Sequence, residues 1–412
     1  MPYVLGVDAG TTRTTAALCR LGGAGRAEPE LPAVGFATSL LLRPDGTVVV
    51  GEFGDPRLSA TGFTGRVGDR TPVALGADLC PAEELTALVV RSVVDRVTAQ
   101  EGSGPAHVVL TSSPGWGPTT RKGLLDALAA VGVPDVSLLP EPLAVAENHA
   151  FLHGPPPALG VFSLGGHAFR AAVVRGREVV RFAEGVDQAA GVDFDDLVFG
   201  HVREVLGREL TGLPADDPRT SALYARLRRD CEAAKRLLSG LPETRLPVHL
   251  PSGSVEVPLT RARFEQLVRP ALDQALAVFE RTARGLGVEV TALVGGSARI
   301  PLLAALAPGR VVFEAAPETS AVKGAALHAR RVLEGDAEPE PVPTSVLVRY
   351  DDPSLRFPVG ALDYVDDDFT APPPRPPVDI TPLDLPERRT VKRVVRGLAV
   401  TGRRSADPED GR

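Results

Sequence analysis

Cysteine and aromatic residues are scarce in this chain of 412 residues, a net positive charge is absent, and each shortage excludes a class of protein. The three cysteines lie far apart, at positions 19, 80 and 231, which excludes a disulfide framework and a cysteine-based zinc site. Aromatic residues make up 5%, so the core must consist mostly of Ala, Val and Leu. The formal net charge of −7 argues against the whole chain binding nucleic acid or an anionic membrane.

Long hydrophobic runs are missing as well. No stretch approaches the roughly 18 consecutive apolar residues of a membrane span. The chain begins Met-Pro-Tyr-Val-Leu-Gly-Val-Asp, without the basic start of a signal peptide and with an early acidic residue. Together with the few, widely spaced cysteines, these features predict a cytoplasmic protein without a membrane span.

What is present is an alternation of strand-like and helix-like patterns over residues 1–334. Short β-branched runs predict strands, and Ala- and Leu-rich segments with helical period predict helices between them. Strands that alternate with helices imply sheets flanked by helices, so the predicted fold class is α/β. The predicted strands cover residues 3–7, 47–50, 107–111, 159–163, 170–174, 178–181 and 288–294, and the predicted helices cover residues 82–98, 119–131, 194–206, 220–238 and 260–286.

Residues 335–412 differ in composition from the rest of the chain. They hold 13 of the 39 prolines, an acidic run at 366–368 and a basic run between 388 and 404. Such a stretch is typical of an extended, mostly disordered tail rather than a packed domain. The basic run leaves nucleic-acid binding open for this segment alone; a solvated tail that balances the acidic body is the alternative.

Two glycine-containing turns about 155 residues apart have the same form. Residues 4–12 and 159–168 each read as a strand, a turn and a further strand, which indicates a weak internal duplication. Because both turns join strand to strand, they differ from Walker and Rossmann phosphate loops, which open a helix. Two such hairpins that face each other can clamp phosphates from both sides, although an ordinary β-turn explains either one alone.

The first turn has the chemistry of a phosphate site. Gly10 lets the backbone approach an anion closely, and Thr11 and Thr12 add two hydroxyl groups. Asp8, at the end of the strand, is placed to face a magnesium ion or its waters. The segment therefore predicts a site for phosphate and a metal ion.

Two further segments carry candidate binding residues. Residues 292–301 read as a strand, a Gly-Gly turn and a helix start, where the planar guanidinium of Arg299 can stack on a flat ring. A predicted helix places four polar residues, at i, i+3, i+4 and i+7, on one face: Glu232, Lys235, Arg236 and Ser239. This face can grip a ribose and a base edge, and a solvated, salt-bridged face is the alternative.

Taken in order, these segments resemble, from residue 3 to about residue 330, the ATPase domain of DnaK-type chaperones, the seventy-kilodalton heat-shock (Hsp70) family. Similar motifs lie at residues 8–12, 110–128, 141–146, 164–166, 191–195, 232–239, 259–265 and 294–301. The resemblance implies an actin-like ATPase fold with two lobes and a central nucleotide cleft. Lobe one would cover about residues 1–158 and 310–334, and lobe two about residues 159–309.

The family's residue roles carry over onto the matching positions. The resemblance implies that the ligand is ATP or ADP, with its phosphates held by Gly10, Thr11, Thr12, Gly165, Gly166 and Gly191. It implies that the adenosine is held by Glu232, Lys235, Arg236, Ser239, Gly296, Ser297 and Arg299. Asp8 would organise the waters of a magnesium ion, and Glu141 would lie near the hydrolytic centre.

The second hairpin departs from the family at the positions used for hydrolysis. Where the family has D-L-G-G-G-T-F-D, residues 163–170 read Ser-Leu-Gly-Gly-His-Ala-Phe-Arg. Ser163 cannot supply a carboxylate to a metal ion or a water, and Ala168 lacks a hydroxyl. His167 adds a side chain where backbone should approach phosphate; it either donates to a phosphate oxygen or marks the decay of the site.

A third departure concerns the lysine that the family places near the γ-phosphate. It aligns with Thr64, and Arg66 is the nearest cation that could replace it. Losing one preorganised donor costs about 10²–10³ in rate, and losing an acid–base partner costs roughly 10²–10⁴. The sequence therefore predicts retained nucleotide binding, a weakened magnesium site, and slow or absent ATP hydrolysis.

The function predicted from the sequence is that of an ATP- or ADP-binding, chaperone-related conformational switch that signals to an unknown protein partner. The alternatives are a working ATPase that uses Arg66 and His167 as substitutes, an actin-fold sugar kinase, and a nucleotide-free scaffold. A peptide-binding β-sandwich of the kind that follows the family's ATPase domain needs on the order of 100 residues with many strands. The Pro-rich segment over 335–412 does not have that pattern.

Overall fold

The computed structural model describes residues 1–22, 28–185, 189–214, 216–312, 314 and 316–334. The tail predicted over residues 335–412, with its acidic and basic runs, therefore lies outside the described residues. Strands and helices alternate along the described chain, which confirms the predicted α/β class. Within these residues no helix is long and apolar enough to cross a bilayer.

The elements of the described residues are numbered in chain order. The strands are β1 (Tyr3–Ala9), β2 (Arg13–Arg20), β3 (Phe36–Ala37), β4 (Ser39–Leu42), β5 (Val48–Val50), β6 (Ser59–Thr61), β7 (Val73–Leu75), β8 (Asp78–Cys80), β9 (Val108–Ser112), β10 (Val136–Pro140), β11 (Leu159–Leu164), β12 (Phe169–Arg175), β13 (Glu178–Glu184), β14 (Glu243–Leu250), β15 (Gly253–Thr260), β16 (Val290–Val294) and β17 (Arg310–Val312). The α-helices are α1 (Ala82–Glu101), α2 (Pro118–Ala130), α3 (Glu141–His153), α4 (Gly191–Leu206), α5 (Arg208–Thr211), α6 (Pro218–Leu238), α7 (Arg261–Ala283), α8 (Pro301–Leu306) and α9 (Ser320–Glu334).

Two five-stranded sheets in the described residues have the same strand order. The first runs β10-β9-β1-β2-β3, and the second runs β17-β16-β11-β12-β13. In each sheet the central strand forms an antiparallel hairpin with the next strand of the chain and pairs in parallel with a strand much later in sequence. The internal duplication that the two turns indicate is therefore a duplication of sheet topology.

Helices α3 and α9 pack against each other in a core that contains residues of both central strands, such as Val4 and Val161. A Cβ atom on Gly324 of α9 would lie 1.7 Å from the carbonyl oxygen of Ala144 in α3, so only glycine permits this close helix contact. The two sheets thus share one helical layer, which fixes the hairpin turns of β1–β2 and β11–β12 relative to each other.

The two ends of residues 310–334 pack with different sheets, and the predicted lobe boundaries stay predictions. Strand β17 pairs in parallel with β16 of the second sheet, while α9 packs against β1 and β2. The parallel ladder continues the second sheet, so the chain returns to the first sheet only after β17. Pro270 lies inside helix α7 and does not end it.

Candidate functional site

A cleft of about 1440 Å³ opens between the two hairpin turns and the helices beside them. Its lining comes from both sheets and includes Trp116, the single tryptophan of the chain. The structure brings every predicted binding and catalytic position to this lining: Asp8, Gly10, Thr11, Thr12, Glu141, Gly165, Gly166, Gly191, Glu232, Lys235, Arg236, Ser239, Gly296, Ser297 and Arg299. Residues far apart in sequence therefore share one cavity.

The β1–β2 turn presents backbone and hydroxyl groups to the cleft. A Cβ atom on Gly10 would lie 2.8 Å from the carbonyl oxygen of Arg13, so the tight turn requires glycine. Thr11 is partly exposed and Thr12 is exposed, and both line the cleft. The turn can therefore offer two hydroxyl groups to a ligand such as phosphate.

The β11–β12 turn lies directly against the first one. A Cβ atom on Gly166 would lie 2.3 Å from Cγ2 of Thr12, so the two turns meet at a glycine. The backbone N–H of Gly165 donates to the carbonyl of Ala168 at 2.9 Å and closes the second turn. The N–H of Gly191, the first residue of α4, donates to the carbonyl of Gly165 at 3.0 Å. The N-terminus of α4 is thereby docked on the turn.

Two carboxylates lie below the turns. Asp8 Oδ1 accepts a hydrogen bond from the Thr111 hydroxyl at 2.5 Å, and burial, followed by the charge of Glu141, raises the pKa of Asp8 to about 6. Glu141 begins helix α3, and each of its carboxylate oxygens has a donor. Oε1 accepts from the Ser163 hydroxyl at 2.6 Å, and Oε2 accepts from Nη1 of Arg170 at 3.1 Å. Glu141 is therefore held by two of the four residues that differ from the family motif, Ser163 and Arg170.

Arg170 is the functional position that sequence reasoning missed. It lies on β12 directly opposite Ser163, lines the cleft, and has 27% of its side chain exposed. Its Nε also lies 3.5 Å from a carboxylate oxygen of Glu184. The available signal was its place at the last position of the second hairpin motif, where the family has Asp and this chain has a cation.

The residues around Asp8 do not fit the magnesium site that the resemblance implies. Magnesium prefers oxygen ligands and is usually held by one or two carboxylates together with waters and phosphates. Here a guanidinium is ion-paired with Glu141 beside Asp8, and Ser163 contributes a hydroxyl in place of a carboxylate. Within the described part of the chain, no three His, Cys, Asp or Glu residues cluster as a metal site.

On the far side of the turns, Lys235 ties helix α6 to α4. Its Nζ donates to the carbonyl oxygen of Gly191 at 2.6 Å and lies 2.8 Å from the carboxylate of Asp195. Both charged side chains are largely buried. Burial raises the pKa of Asp195 to about 6, although Lys235 opposes that shift. The Lys235 ammonium therefore lies at the cleft with its orientation fixed.

The remaining predicted adenosine residues are held by their own contacts. Arg236 pairs with Glu232 at 2.7 Å on the exposed face of α6, as the salt-bridge alternative describes, and both still line the cleft. The Ser297 hydroxyl donates to the carbonyl of Gly165 at 3.2 Å. Arg299 donates to both carboxylate oxygens of Glu318, at 3.0 and 2.7 Å. This fork holds the guanidinium plane at the cleft wall.

Thr64, which aligns with the lost lysine, and the two substitutes Arg66 and His167 are not equally placed. Thr64 lines the cleft, and its buried hydroxyl oxygen has no hydrogen-bond partner among the described residues. Arg66 does not line the cleft; it donates to the carbonyl of Thr71 at 2.9 Å and lies 3.5 Å from Asp69. His167 lines the cleft, and burial lowers its pKa, so the neutral imidazole is favoured. In this structure Arg66 contacts Thr71 and Asp69 and does not reach the cleft.

The sequence is similar to that of known chaperones and to the model of one protein family. Residues 70–342 match the family model described as Hsp70 protein. A chaperone protein HscA homolog from Shewanella sp. (strain MR-7) is 27% identical over 337 residues, which covers 73% of this chain and 53% of the relative. Chaperone protein dnaK1 of Parasynechococcus marenigrum is 28% identical over 355 residues, covering 74% of this chain and 52% of the relative.

A further HscA homolog, from Vibrio cholerae, is 31% identical over 244 residues, which covers 57% of this chain and 36% of the relative. The chain thus spans about half, or less, of the length of the curated relatives it matches. The family match covers the second hairpin, α3, α6 and the Gly295–Gly296 turn, whereas the first hairpin precedes it. Since the matched residues make up well over half of the sequence and the two sheets fit the family's actin-like ATPase fold, this chain belongs to the Hsp70 family.

Proposed function

We propose that the cleft binds ATP or ADP, with the phosphates between the two hairpin turns and the adenosine between α6 and the Gly295–Gly296 turn. The observation that carries this proposal is the convergence of the predicted phosphate and adenosine positions on one cavity. The Thr11 and Thr12 hydroxyls at the cleft and the fixed Lys235 ammonium support it. A scaffold without a ligand gives no reason for this shared set of polar groups.

We propose further that ATP hydrolysis is slow or absent. Both oxygens of Glu141 accept hydrogen bonds, from Ser163 and Arg170, so this carboxylate is poorly placed to activate a water. Thr64 brings no cation to the γ-phosphate, and Arg66 points to Thr71 instead. Each missing group costs about 10²–10⁴ in rate, so turnover falls far below useful levels even when the losses are not additive.

An active ATPase remains the second candidate because His167 lies at the cleft. As a neutral imidazole it can donate one hydrogen bond to a phosphate oxygen, but it supplies no positive charge near neutral pH. The structure offers no such support to a sugar kinase.

We propose that the bound nucleotide acts as a conformational switch. A ligand that touches both turns bonds to both sheets at once, so its binding free energy favours the closed arrangement of the cleft. The relatives named above are called chaperones, and the switch would signal to a protein partner. A cytoplasmic location stays a prediction.

The test is a calorimetric titration of ADP and ATP, with and without magnesium, coupled to a phosphate-release assay on the same samples. We expect binding without release at rates typical of an ATPase. Lys235→Ala should weaken ADP binding by roughly 10- to 100-fold, since a hydrogen bond to a charged group is lost. Lys122→Ala is the matched control, because Lys122 is 75% exposed and pairs with Asp126 away from the cleft.

The outcomes separate the candidates. Binding that is weakened in the Lys235 variant and unchanged in the Lys122 variant supports the proposed site. Fast phosphate release identifies an active ATPase and contradicts the proposed loss of hydrolysis. If neither nucleotide binds, the nucleotide-free scaffold is the function that remains.

A further inference from the structure

The positive charge closest to the paired carboxylates comes from the chain itself. Arg170 projects from β12 into the cleft, next to the turn that faces Thr11 and Thr12. Its Nη1 donates to Glu141 at 3.1 Å, and its Nε lies 3.5 Å from Glu184. A cation therefore pairs with Glu141 and acts on the neighbouring Asp8, to which the resemblance assigns the waters of a magnesium ion.

The guanidinium is only partly used by these contacts. No hydrogen bond from Nη2 is formed within the described residues, and Nε is buried without a hydrogen-bond partner there. A guanidinium has five N–H donors in a planar fork, and that fork matches the geometry of phosphate oxygens. Arg170 can therefore keep Glu141 and still donate to a phosphate group between the turns.

The same contacts oppose a divalent cation. A magnesium ion beside Asp8 would lie close to a permanent positive charge, and the Glu141 oxygens that could hold its waters already accept hydrogen bonds from Ser163 and Arg170. Among the cleft carboxylates that the structure describes, Asp8 has no ion pair of its own, and its Oδ1 accepts from Thr111. Arg170 is thus the cation that acts on both Asp8 and Glu141.

We propose that the Arg170 guanidinium takes the place of magnesium as the cation that faces the phosphates, so that this chain binds ADP and ATP without a divalent ion. The inference rests on the proposed nucleotide site, and it concerns how the phosphates are held there. Ser163 and Arg170 then form one linked replacement: the serine keeps Glu141 in place by a hydroxyl bond, and the arginine supplies the charge.

The experiment is calorimetry of the intact chain with ADP, in excess magnesium chloride and in excess EDTA. We expect the wild-type Kd to differ by less than about threefold between the two buffers, because the cation is part of the protein. Arg170→Gln should weaken ADP binding in EDTA by roughly 10- to 100-fold, since a charged hydrogen bond to phosphate is lost. Adenosine, which has no phosphate, should bind this variant as it binds the wild type.

The control is Arg175→Gln. Arg175 lies at the far end of the same strand, outside the cleft, and donates to the carbonyl of Leu286. Its ADP affinity should equal that of the wild type in both buffers. Unchanged adenosine binding also shows that Arg170→Gln is folded, and Arg170→Lys provides a second variant that keeps the charge but loses the fork, with an expected intermediate loss.

A double variant tests whether acidic residues at these two positions make nucleotide binding depend on magnesium. Ser163→Asp with Arg170→Asp installs the family's two acidic residues, and we expect magnesium to strengthen ADP binding to this variant about tenfold or more.

Wild-type binding that disappears in EDTA overturns the inference while leaving the nucleotide site intact. So does an Arg170→Gln variant that binds ADP in EDTA as tightly as the wild type. A wild type that binds neither ADP nor adenosine under any condition overturns the proposed function, and this inference with it.

Discussion

At the scale of single residues, Asp8 carries the clearest electrostatic cost. Burial and the neighbouring Glu141 raise its pKa from 3.8 to about 6. Between pH 3.8 and about 6, Asp8 therefore holds a proton in the folded state that it has released in the unfolded chain. The contribution of Asp8 to the free energy of unfolding is most favourable below pH 4 and is lost as the pH rises through 6.

Replacing Asp8 by Asn should remove this cost. Asn still accepts the hydrogen bond from Thr111 and has no charge to repel Glu141. We therefore expect Asp8→Asn to raise the melting temperature at pH 8 and to change it little at pH 4. Asp45→Asn is the control, because the pKa of exposed Asp45 is lowered by bonds from Thr47 and its loss should not stabilise the fold at pH 8. An equal shift for Asp8→Asn at both pH values would contradict the assignment.

A second prediction concerns the reactivity of the three cysteines. All are buried, and burial raises the pKa to about 12 for Cys19 and Cys231 and to about 11 for Cys80. Since the thiolate is the reactive form, a thiol reagent at pH 8 should label the native chain far more slowly than the chain in guanidinium chloride. Rapid labelling of the native protein, at the rate of a free thiol, would show that these packing contacts do not hold in solution.

The residue scale also shows where sequence reasoning stops. Glycines such as Gly10 and Gly166 were identifiable because their turn chemistry is local, and the structure brings both to the cleft. Ser163 was identified as a loss of carboxylate, but its bond to Glu141 depends on how β11 meets α3. Arg170 was invisible as a functional group for the same reason, since its role comes from partners 29 and 14 positions away in sequence.

At the scale of elements, the contact between α3 and α9 depends on one glycine. A Cβ atom on Gly324 would overlap the Ala144 carbonyl at 1.7 Å, and both atoms belong to helix backbones that cannot move independently. Gly324→Ala should therefore destabilise the protein by about 3 kcal/mol or more, seen as a loss of free energy of unfolding in denaturant titration.

The matched control for this substitution is Gly200→Ala in α4, where the added Cβ would meet no atom within 4 Å. Alanine has a higher helix propensity than glycine, so this variant should gain up to about 1 kcal/mol. If the same Gly→Ala change lowers the free energy of unfolding at position 324 and raises it at position 200, the effect of close packing is separated from that of helix propensity. A Gly324→Ala variant as stable as the wild type would mean that α3 and α9 lie further apart.

Elements with a strong local pattern were predicted well. Helices α6 and α7 begin and end within three residues of the predicted bounds, because their helical period is long and regular. The hairpin β14–β15 and helices α3 and α9 were not among the predicted elements. The buried face of α9 consists mostly of alanines together with Gly324 rather than larger apolar residues, and β14–β15 is a partly exposed ribbon.

At the scale of the whole molecule, ligand binding should appear as stability. A ligand that binds only the folded state at 100 times its Kd adds about 2.7 kcal/mol. We expect the melting temperature to rise with the logarithm of the ADP concentration, and to rise less at the same concentration of adenosine, which cannot touch the hairpin turns. Lys122→Ala should keep the full ADP effect. If ADP and adenosine raise the melting temperature equally, contacts between the phosphates and the hairpin turns contribute nothing to the binding free energy.

The matching strand order of the two sheets has a consequence for how such a ligand leaves. The two sheets have the same strand order, but their turns differ chemically: the first brings the hydroxyl groups of Thr11 and Thr12, and the second an imidazole and a methyl group from His167 and Ala168. A phosphate chain lying there would accept hydrogen bonds from hydroxyl groups on one side and from the Arg170 guanidinium on the other. Departure should then take two unlike steps, since one half must break hydroxyl hydrogen bonds and the other must break a contact with a charged group.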